Sequence, residues 1–145
     1  MKVGDIMTKD PVVVDLDTPV RVAMELMRSK GIRHLPVVDQ DAHVRGMLTD
    51  RDLRHAAFLP ALAGQSGLAP HRVKAPRVRD IMTWSVVTTE AEIPLVQAAL
   101  TMFQRRIGSL PVVEAGRLVG ILTERDVLAG LRKERGIGDD ELFLW

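Results

Sequence analysis

The chain has 145 residues, 46% of them hydrophobic and 27% charged, and its 20 Lys and Arg nearly balance its 19 Asp and Glu. This composition is typical of a globular protein with one or two small domains. It argues against a nucleic-acid partner, which would need a basic surface. The absence of cysteine excludes disulfides and thiolate chemistry, and the four histidines lack metal-ligand spacing, so we expect no metal site. No apolar run approaches the ~18 residues of a membrane span. We therefore expect a cytoplasmic protein without a membrane partner.

The first half of the chain predicts the order strand, helix, strand, strand, helix. A short β-branched strand is expected at Val12-Val13-Val14, after Pro11. Thr18 is the expected N-cap of the first helix, with Pro19 at the first helical position, and Gly31 ends that helix. Two strands and a second helix complete the unit, at residues 32–38, 44–48 and 50–58.

The second half repeats this order. A strand is expected over residues 85–88, and Ile93 stands where Thr18 would cap the following helix, so that helix start is weaker. The remaining helix, strand, strand and helix are expected at residues 94–105, 110–113, 118–122 and 124–135. Residues 59–77 are rich in Ala, Gly and Pro and predict a linker, while residues 136–145 form an acidic and then apolar tail.

Three motifs recur in the same order. Val3-Gly4-Asp5-Ile6-Met7-Thr8 returns as 78–83, Leu35-Pro36-Val37-Val38 as 110–113, and Gly46-Met47-Leu48-Thr49-Asp50-Arg51-Asp52 as 120–126. The chain is therefore a tandem duplication, with repeat one at 1–58 and repeat two at 78–135. Each copy has only about 55 residues, so we expect the two copies to share a core.

The third motif has two interpretations. A threonine at the end of a strand, followed three residues later by an acidic residue, is close to a helix capping box. The same junction can also hold a ribose phosphate, because the first N–H groups of a helix favour phosphate and Asp52 and Asp126 can accept hydrogen bonds from sugar hydroxyls. Arg51 and Arg125 lie beside these groups and could contact phosphate, or could simply be solvated or lie at a dimer contact. Both interpretations stand at this point.

The paired Asp-Ile-Met, Gly-Ile-Arg-His-Leu-Pro-Val-Val and Gly-Met-Leu-Thr-Asp-Arg-Asp motifs resemble the tandem cystathionine-β-synthase (CBS) domain, or Bateman module. The resemblance runs from Val3 to about Leu131. It implies an α/β (α+β) fold of two β-α-β-β-α repeats, packed with pseudo-two-fold symmetry and with two clefts between them. It also implies that the clefts bind adenine nucleotides or related adenosyl compounds, and that the protein forms a homodimer.

Matched residue by residue, the resemblance assigns Thr49 and Thr123 to phosphate or ribose phosphate, and Asp52 and Asp126 to the ribose hydroxyls. Ser85-Val86 and a set of apolar residues would contact the purine; the set comprises Pro11, Val12, Ile32, Pro36, Met47, Ile107, Pro111 and Ile121. The alternative for each apolar position is ordinary core, because buried apolar side chains are the default.

The two clefts are expected to differ. Arg33 and His34 in repeat one correspond to Gly108 and Ser109 in repeat two. A basic pair suits phosphate through charge-assisted hydrogen bonds, so we expect unequal affinity for nucleotides.

The chain lacks a Gly-x-Ser-x-Gly elbow and a glycine-rich nucleotide loop ending in Gly-Lys, and its carboxylates do not form a recognisable acid–base pair. We therefore predict a non-catalytic sensor that needs no cofactor. It would bind AMP, ADP, ATP or S-adenosylmethionine as a regulatory ligand and signal to an effector protein through a change in conformation or assembly. The alternative is a structural or interaction protein with vestigial clefts.

Overall fold

The structure is a computed structural model that describes residues 1–56 and 75–136. The predicted linker up to residue 74 and the predicted tail beyond Gly136 lie outside the described residues. The chain divides into two compact units. The terminal unit combines Met1–Pro11 with the chain from Val87 onwards, and the central unit is Val12–Val86. Each unit thus joins the body of one sequence repeat to the opening segment of the other.

Helices and short strands alternate along the described chain, which confirms a mixed α+β fold with two small sheets. Within residues 1–56 and 75–136, no helix is long and apolar enough to cross a membrane. The elements, in chain order, are α1 (Val3–Ile6), β1 (Thr8–Lys9), α2 (Val20–Lys30), β2 (His34–Val38), β3 (Val44–Thr49), α3 (Asp50–Ala56), α4 (Val78–Ile81), β4 (Thr83–Trp84), α5 (Leu95–Arg105), β5 (Ser109–Glu114), β6 (Arg117–Thr123) and α6 (Glu124–Arg135).

The predicted first strand of each repeat is wrong. Residues 12–14 and 85–88 form no ladder; Val14 makes a single parallel bridge to Val37, and Thr89 makes one to Val112. The strands come earlier, as β1 and β4, and each is followed by a residue with positive φ, Asp10 at 48° and Ser85 at 55°. A left-handed residue interrupts the extended chain, so the β-branched segment meets its neighbour at one residue only.

The predicted start of the first helix is also wrong. Thr18 does not cap α2; its hydroxyl donates to Asp15 Oδ1 at 3.0 Å, and Pro19 occupies the N-cap position. The N–H of Val20 instead donates to the carbonyl of Pro76 at 3.0 Å. A backbone carbonyl just before the opening segment of repeat two thus accepts from an N–H that has no partner within the helix, so no side-chain cap is needed there.

The same arrangement occurs at α5, which begins after Pro94. The N–H of Leu95 donates to the carbonyl of Met1 at 2.9 Å, so the opening segment of repeat one satisfies a helix in repeat two. The two helices end alike, with a left-handed residue: Gly31 at φ 63° and Arg106 at φ 55°. Glycine at the first of these positions agrees with the sequence prediction.

Each sheet has three antiparallel strands, the third of which comes from the other repeat. In the terminal unit the order is β1-β6-β5, with Thr8 opposite Ile121. In the central unit the order is β2-β3-β4, with Met47 opposite Thr83. The recurring hairpins β2–β3 and β5–β6 therefore each accept a short strand at the same edge.

The repeated opening motif is the exchanged segment itself. Its first residue, Val3 or Val78, is fully buried in the core of the unit that receives it. The motif aspartates cap the starts of the short helices: Asp5 accepts from the N–H of Lys2 at 2.8 Å, and Asp80 accepts from the N–H of Arg77 at 2.7 Å. The motif is therefore explained by packing and local capping, as one would expect of a segment that inserts into another core.

Candidate functional site

The threonine–aspartate pair of repeat two lies where β6 passes into α6. The N–H of Thr123 donates to Asp126 Oδ2 at 3.0 Å, and the N–H of Asp126 donates to the hydroxyl oxygen of Thr123 at 3.3 Å. Both side chains are partly buried. The capping interpretation of the motif is therefore realised, and a ligand at this junction would meet side chains already held in place by the backbone.

The pair of repeat one has the same geometry in the central unit. The N–H of Thr49 donates to Asp52 Oδ2 at 2.9 Å, and the N–H of Asp52 donates to the Thr49 hydroxyl at 3.2 Å. Arg51 and its counterpart Arg125 lie in the first turns of α3 and α6 and are exposed. The duplication observed in sequence is thus a duplication of geometry.

Thr8 is a site residue that the sequence reasoning missed. Its hydroxyl lies 3.4 Å from both carboxylate oxygens of Asp126, so the opening segment of repeat one contacts the junction of repeat two. At that length the hydrogen bond is weak. Thr8 belongs to the repeated opening motif, which was the available signal, but its partner could be found only from the strand exchange.

The basic pair of repeat one lies beside its threonine. His34 is directly opposite Thr49 in the β2–β3 ladder, and side chains opposite each other in an antiparallel pair share a face, with Cβ atoms about 5 Å apart. The carbonyl of Arg33 accepts from the N–H of Asp50 at 3.0 Å, which places Arg33 at the start of α3.

The matching positions of repeat two are neutral. Ser109 lies opposite Thr123, and the carbonyl of Gly108 accepts from the N–H of Glu124 at 3.1 Å. The backbone is the same in both repeats, so the difference between the two junctions is one of side-chain charge.

The predicted apolar contacts fall into two groups. Four of them are buried in cross-strand pairs, Pro36 with Met47 and Pro111 with Ile121. Burial is what the core alternative predicts for these four. The others remain partly exposed; they are Pro11, Val12, Ile32 and Ile107. A purine contact in the structure as described would therefore fall on the second group.

Among the residues that the structure describes, a group of possible metal ligands lies in the β2–β3 turn. Ligand atoms of Asp39, Asp41 and His43 lie within 4.8 Å of one another. Asp39 Oδ1 already accepts from the N–H groups of Asp41 and His43, at 2.9 and 3.0 Å. Burial acts to raise the pKa of Asp39, but these hydrogen bonds and the charges of His43 and Arg45 outweigh it and lower that pKa below its ordinary value. The turn itself accounts for the cluster.

A family model supplies the identity. The model of the CBS domain matches residues 3–58 and again residues 78–133. The chain belongs to the CBS-domain family. The two matches confirm the tandem pair that the sequence motifs indicated. A CBS domain-containing protein of Dictyostelium discoideum is 37% identical over 127 residues, which cover 87% of this chain and 88% of that protein.

Solved structures of CBS pairs have the same fold. CBSX2 from Arabidopsis thaliana, in complex with AMP, has a TM-score of 0.79 at 32% identity, and the alignment covers 92% of this chain and 98% of that one. The CBS domain pair of MJ0100, in complex with 5′-methylthioadenosine and S-adenosyl-L-methionine, has a TM-score of 0.72 at 26% identity, with coverage of 92% and 98%. Among its structural relatives, this CBS pair therefore has proteins that bind adenosine-containing ligands.

Proposed function

We propose that this CBS pair is a non-catalytic regulatory module that binds adenosine-containing ligands at its two strand–helix junctions. The observation that carries the proposal is the duplicated Thr–Asp pair, held in the same geometry at Thr49 and Asp52 and at Thr123 and Asp126. The complexes of CBSX2 with AMP and of the MJ0100 pair with adenosyl compounds support the class of ligand.

The capping hydrogen bonds leave the threonine hydroxyls and the aspartate carboxylates with hydrogen-bonding capacity for such a ligand. Each threonine hydroxyl accepts from a backbone N–H and keeps its own proton, which it can donate to a phosphate or ribose oxygen. Each aspartate uses one oxygen toward the backbone, and an ionised carboxylate has about four acceptor positions in all. Asp52 and Asp126 can therefore accept from ribose hydroxyls without breaking the cap.

The two junctions would prefer ligands of different charge. Arg33 and His34 bring a basic pair of side chains to the Thr49 junction, whereas Gly108 and Ser109 bring no basic group to the Thr123 junction. Charge-assisted hydrogen bonds to phosphate are roughly twice as strong as neutral ones. We infer that AMP, ADP or ATP binds more tightly at the Thr49 junction, and that an uncharged or cationic adenosyl compound discriminates less between the two.

Thermal unfolding with AMP, ADP, ATP, S-adenosylmethionine, NAD and GTP, followed by titration calorimetry, tests the proposal. A ligand at ~100 times its dissociation constant stabilises the fold by about 2.7 kcal/mol. Asp52→Ala should remove most of the AMP affinity and Asp126→Ala less of it. Each substitution also removes a helix-capping hydrogen bond and so lowers the unfolding temperature by itself. The variants are therefore compared only by the increase in unfolding temperature that the ligand produces.

Exchange of the charged pair gives the sharper control. The double variant Arg33→Gly with His34→Ser should lower affinity for phosphate-bearing ligands by at least tenfold and leave adenosine binding little changed. The reciprocal double variant, Gly108→Arg with Ser109→His, should raise the affinity for phosphate-bearing ligands at the Thr123 junction. Equal losses in Asp52→Ala and Asp126→Ala would contradict unequal sites. No shift with any ligand, on protein free of co-purified nucleotide, would favour a structural protein with vestigial sites.

We further propose that the module acts in the cytoplasm as a homodimer and reports ligand binding to a separate effector protein. Such signalling requires that the ligand prefer one arrangement of the module over another. Sedimentation with and without the bound nucleotide tests the assembly part of this proposal, since a ligand-dependent change in mass or shape is the expected result. Incubation with ATP followed by chromatography should show no turnover, and hydrolysis would contradict the non-catalytic role.

A further inference from the structure

Helices α5 and α6 of the terminal unit carry apolar side chains that face solvent. Val96, Leu100 and Phe103 lie on α5 at spacings of four and three residues, which places them in one row along the helix. Leu128 and Leu131 lie on α6. Phe103 is 82% exposed and Leu128 67% exposed, and both line one open groove between the two helices. We call these five residues the α5–α6 face; an apolar patch of this kind commonly marks an interaction site.

The central unit provides an internal comparison for this face. Helices α2 and α5 each have 11 residues and bury the same three helical positions. Helices α3 and α6 each follow a Thr–Asp cap. The buried residues and the caps therefore align the two helix pairs position by position, and their exposed positions can be compared directly.

The two units differ in charge at the matched exposed positions. The first four residues of the α5–α6 face, in chain order, occupy positions that in repeat one are held by Arg21, Glu25, Arg28 and Arg54. Arg28 pairs with Glu25 at 3.3 Å, and Arg54 pairs with Asp50 at 3.6 Å. The repeat-one surface is thus suited to water on the same local backbone. The fold does not require apolar side chains at these positions, so their presence in repeat two points to a contact.

The row of exposed residues on α6 has a charge distribution that fits a second copy of itself. Glu124, Leu128, Leu131 and Arg135 are spaced at four, three and four residues, so they form one row about 16 Å long. Two such helices can pack antiparallel about a two-fold axis that passes midway between the two leucines. Glu124 of each copy then lies beside Arg135 of the other, with the leucines packed between these two ion pairs.

We propose that the α5–α6 face is the surface on which a second copy of this chain docks, face to face, with the two α6 helices antiparallel. The proposal rests on the homodimer of the proposed function and names the surface that forms it. The matched surface of α2 and α3 is a poorer partner, because the α5–α6 face would take its charged residues out of water without supplying charges to pair with them. A uniformly acidic or basic partner also fits less well, because it would repel one end of the α6 row.

Sedimentation equilibrium of the full-length chain, without ligand, tests this interface. We expect a dimer. The triple variant Val96→Arg, Leu100→Glu and Phe103→Arg gives α5 the residues that α2 carries at the matched positions, so a helix in this setting accommodates them. It should raise the dissociation constant of the dimer by more than about 100-fold. An unchanged circular dichroism spectrum verifies that the variant is folded.

Two further sets of variants separate the two helical surfaces and the two ends of the α6 row. Arg21→Glu with Glu25→Arg alters α2 at the matched positions and should leave the dissociation constant unchanged. Arg135→Glu places two acidic residues together at both ends of the contact and should raise the dissociation constant by about tenfold at low ionic strength. Adding Glu124→Arg to Arg135→Glu reverses both charges and should restore dimerisation.

The possible failures are distinguishable. A wild-type chain that sediments as a monomer would overturn the homodimer and this interface together, and would leave the face to a different partner. A dimer that survives the triple α5 variant, or that dissociates in Arg21→Glu with Glu25→Arg, would overturn the interface alone. Loss of dimerisation in Arg135→Glu that Glu124→Arg does not restore would overturn the antiparallel arrangement. Ligand binding is measured separately by calorimetry, so the proposed ligand sites are tested independently of these outcomes.

Discussion

The motif glycines Gly46 and Gly120 offer a direct test of the strand exchange. A Cβ atom added at Gly46 would lie 2.4 Å from the backbone oxygen of Thr83 and 2.7 Å from Met82 Cε. At Gly120 it would lie 2.7 Å from Met7 Sδ and 2.9 Å from the backbone oxygen of Thr8. Each glycine is therefore the point at which the exchanged strand passes closest to the sheet.

The expected loss of unfolding free energy in each Gly→Ala variant depends on which neighbouring atom must move to make room for the Cβ. At Gly46 the nearest atom is backbone, so β4 must separate from β3, and Gly46→Ala should lower the free energy of unfolding by about 3 kcal/mol, the upper end for overpacking. At Gly120 the nearest atom belongs to a flexible methionine side chain, and the backbone oxygen of Thr8 is at 2.9 Å rather than 2.4 Å, so a smaller shift of β1 suffices and Gly120→Ala should cost about 2 kcal/mol.

Gly31→Ala is the matched control, because a Cβ there meets nothing within 4 Å and only the left-handed φ of 63° is unfavourable. Its cost should be about 1 kcal/mol. Urea unfolding, followed by circular dichroism, gives the free energy of unfolding of the three variants. The variants are compared only if the slope of that free energy against urea concentration, the m-value, is unchanged, because a changed slope indicates a change in the unfolded state. If Gly46→Ala costs no more than Gly31→Ala, β4 does not lie against β3 as described and the exchanged topology is refuted.

Two further predictions concern the caps and the β2–β3 turn. Thr123→Ala should destabilise the protein by about 1 kcal/mol through loss of the α6 cap, and Thr123→Ser should restore most of it, as measured by urea unfolding; an unchanged midpoint in Thr123→Ala would contradict the cap. Because the pKa of Asp39 is lowered in the folded state, its charge stabilises the fold above about pH 4, and this contribution is lost as the pH falls through the lowered value. The stability difference between wild type and Asp39→Asn should therefore shrink from pH 7 to pH 3, and a constant difference would contradict this account.

Local patterns predicted the hairpins and long helices closely. The turn between β2 and β3, the left-handed Gly31 at the end of α2 and the Thr–Asp caps each depend on residues within about five positions of one another. Such features are encoded by periodicity and capping chemistry, which a single sequence displays directly. The tandem CBS fold was implied by the resemblance to the family, and that resemblance rests on motifs that recur in the same order.

The exchange of opening segments could not be predicted in the same way. Residues 3–8 and 78–83 are nearly the same motif, and both Gly46 and Gly120 offer the same close approach. The local sequence therefore does not decide which of the two opening segments pairs with which hairpin. The choice depends on contacts between residues more than 100 positions apart, such as Thr8 with Ile121. The same ambiguity concealed the contact of Thr8 with Asp126.

The exchange also bears on how a bound ligand could act. The chain passes from the terminal unit to the central unit between Pro11 and Val12, and returns between Val86 and Val87. These crossing points follow the left-handed residues Asp10 and Ser85, and they coincide with the segments assigned to the purine by resemblance to the family. Under the proposed function, a ligand could favour one arrangement of the module only through a difference in its affinity for the two arrangements.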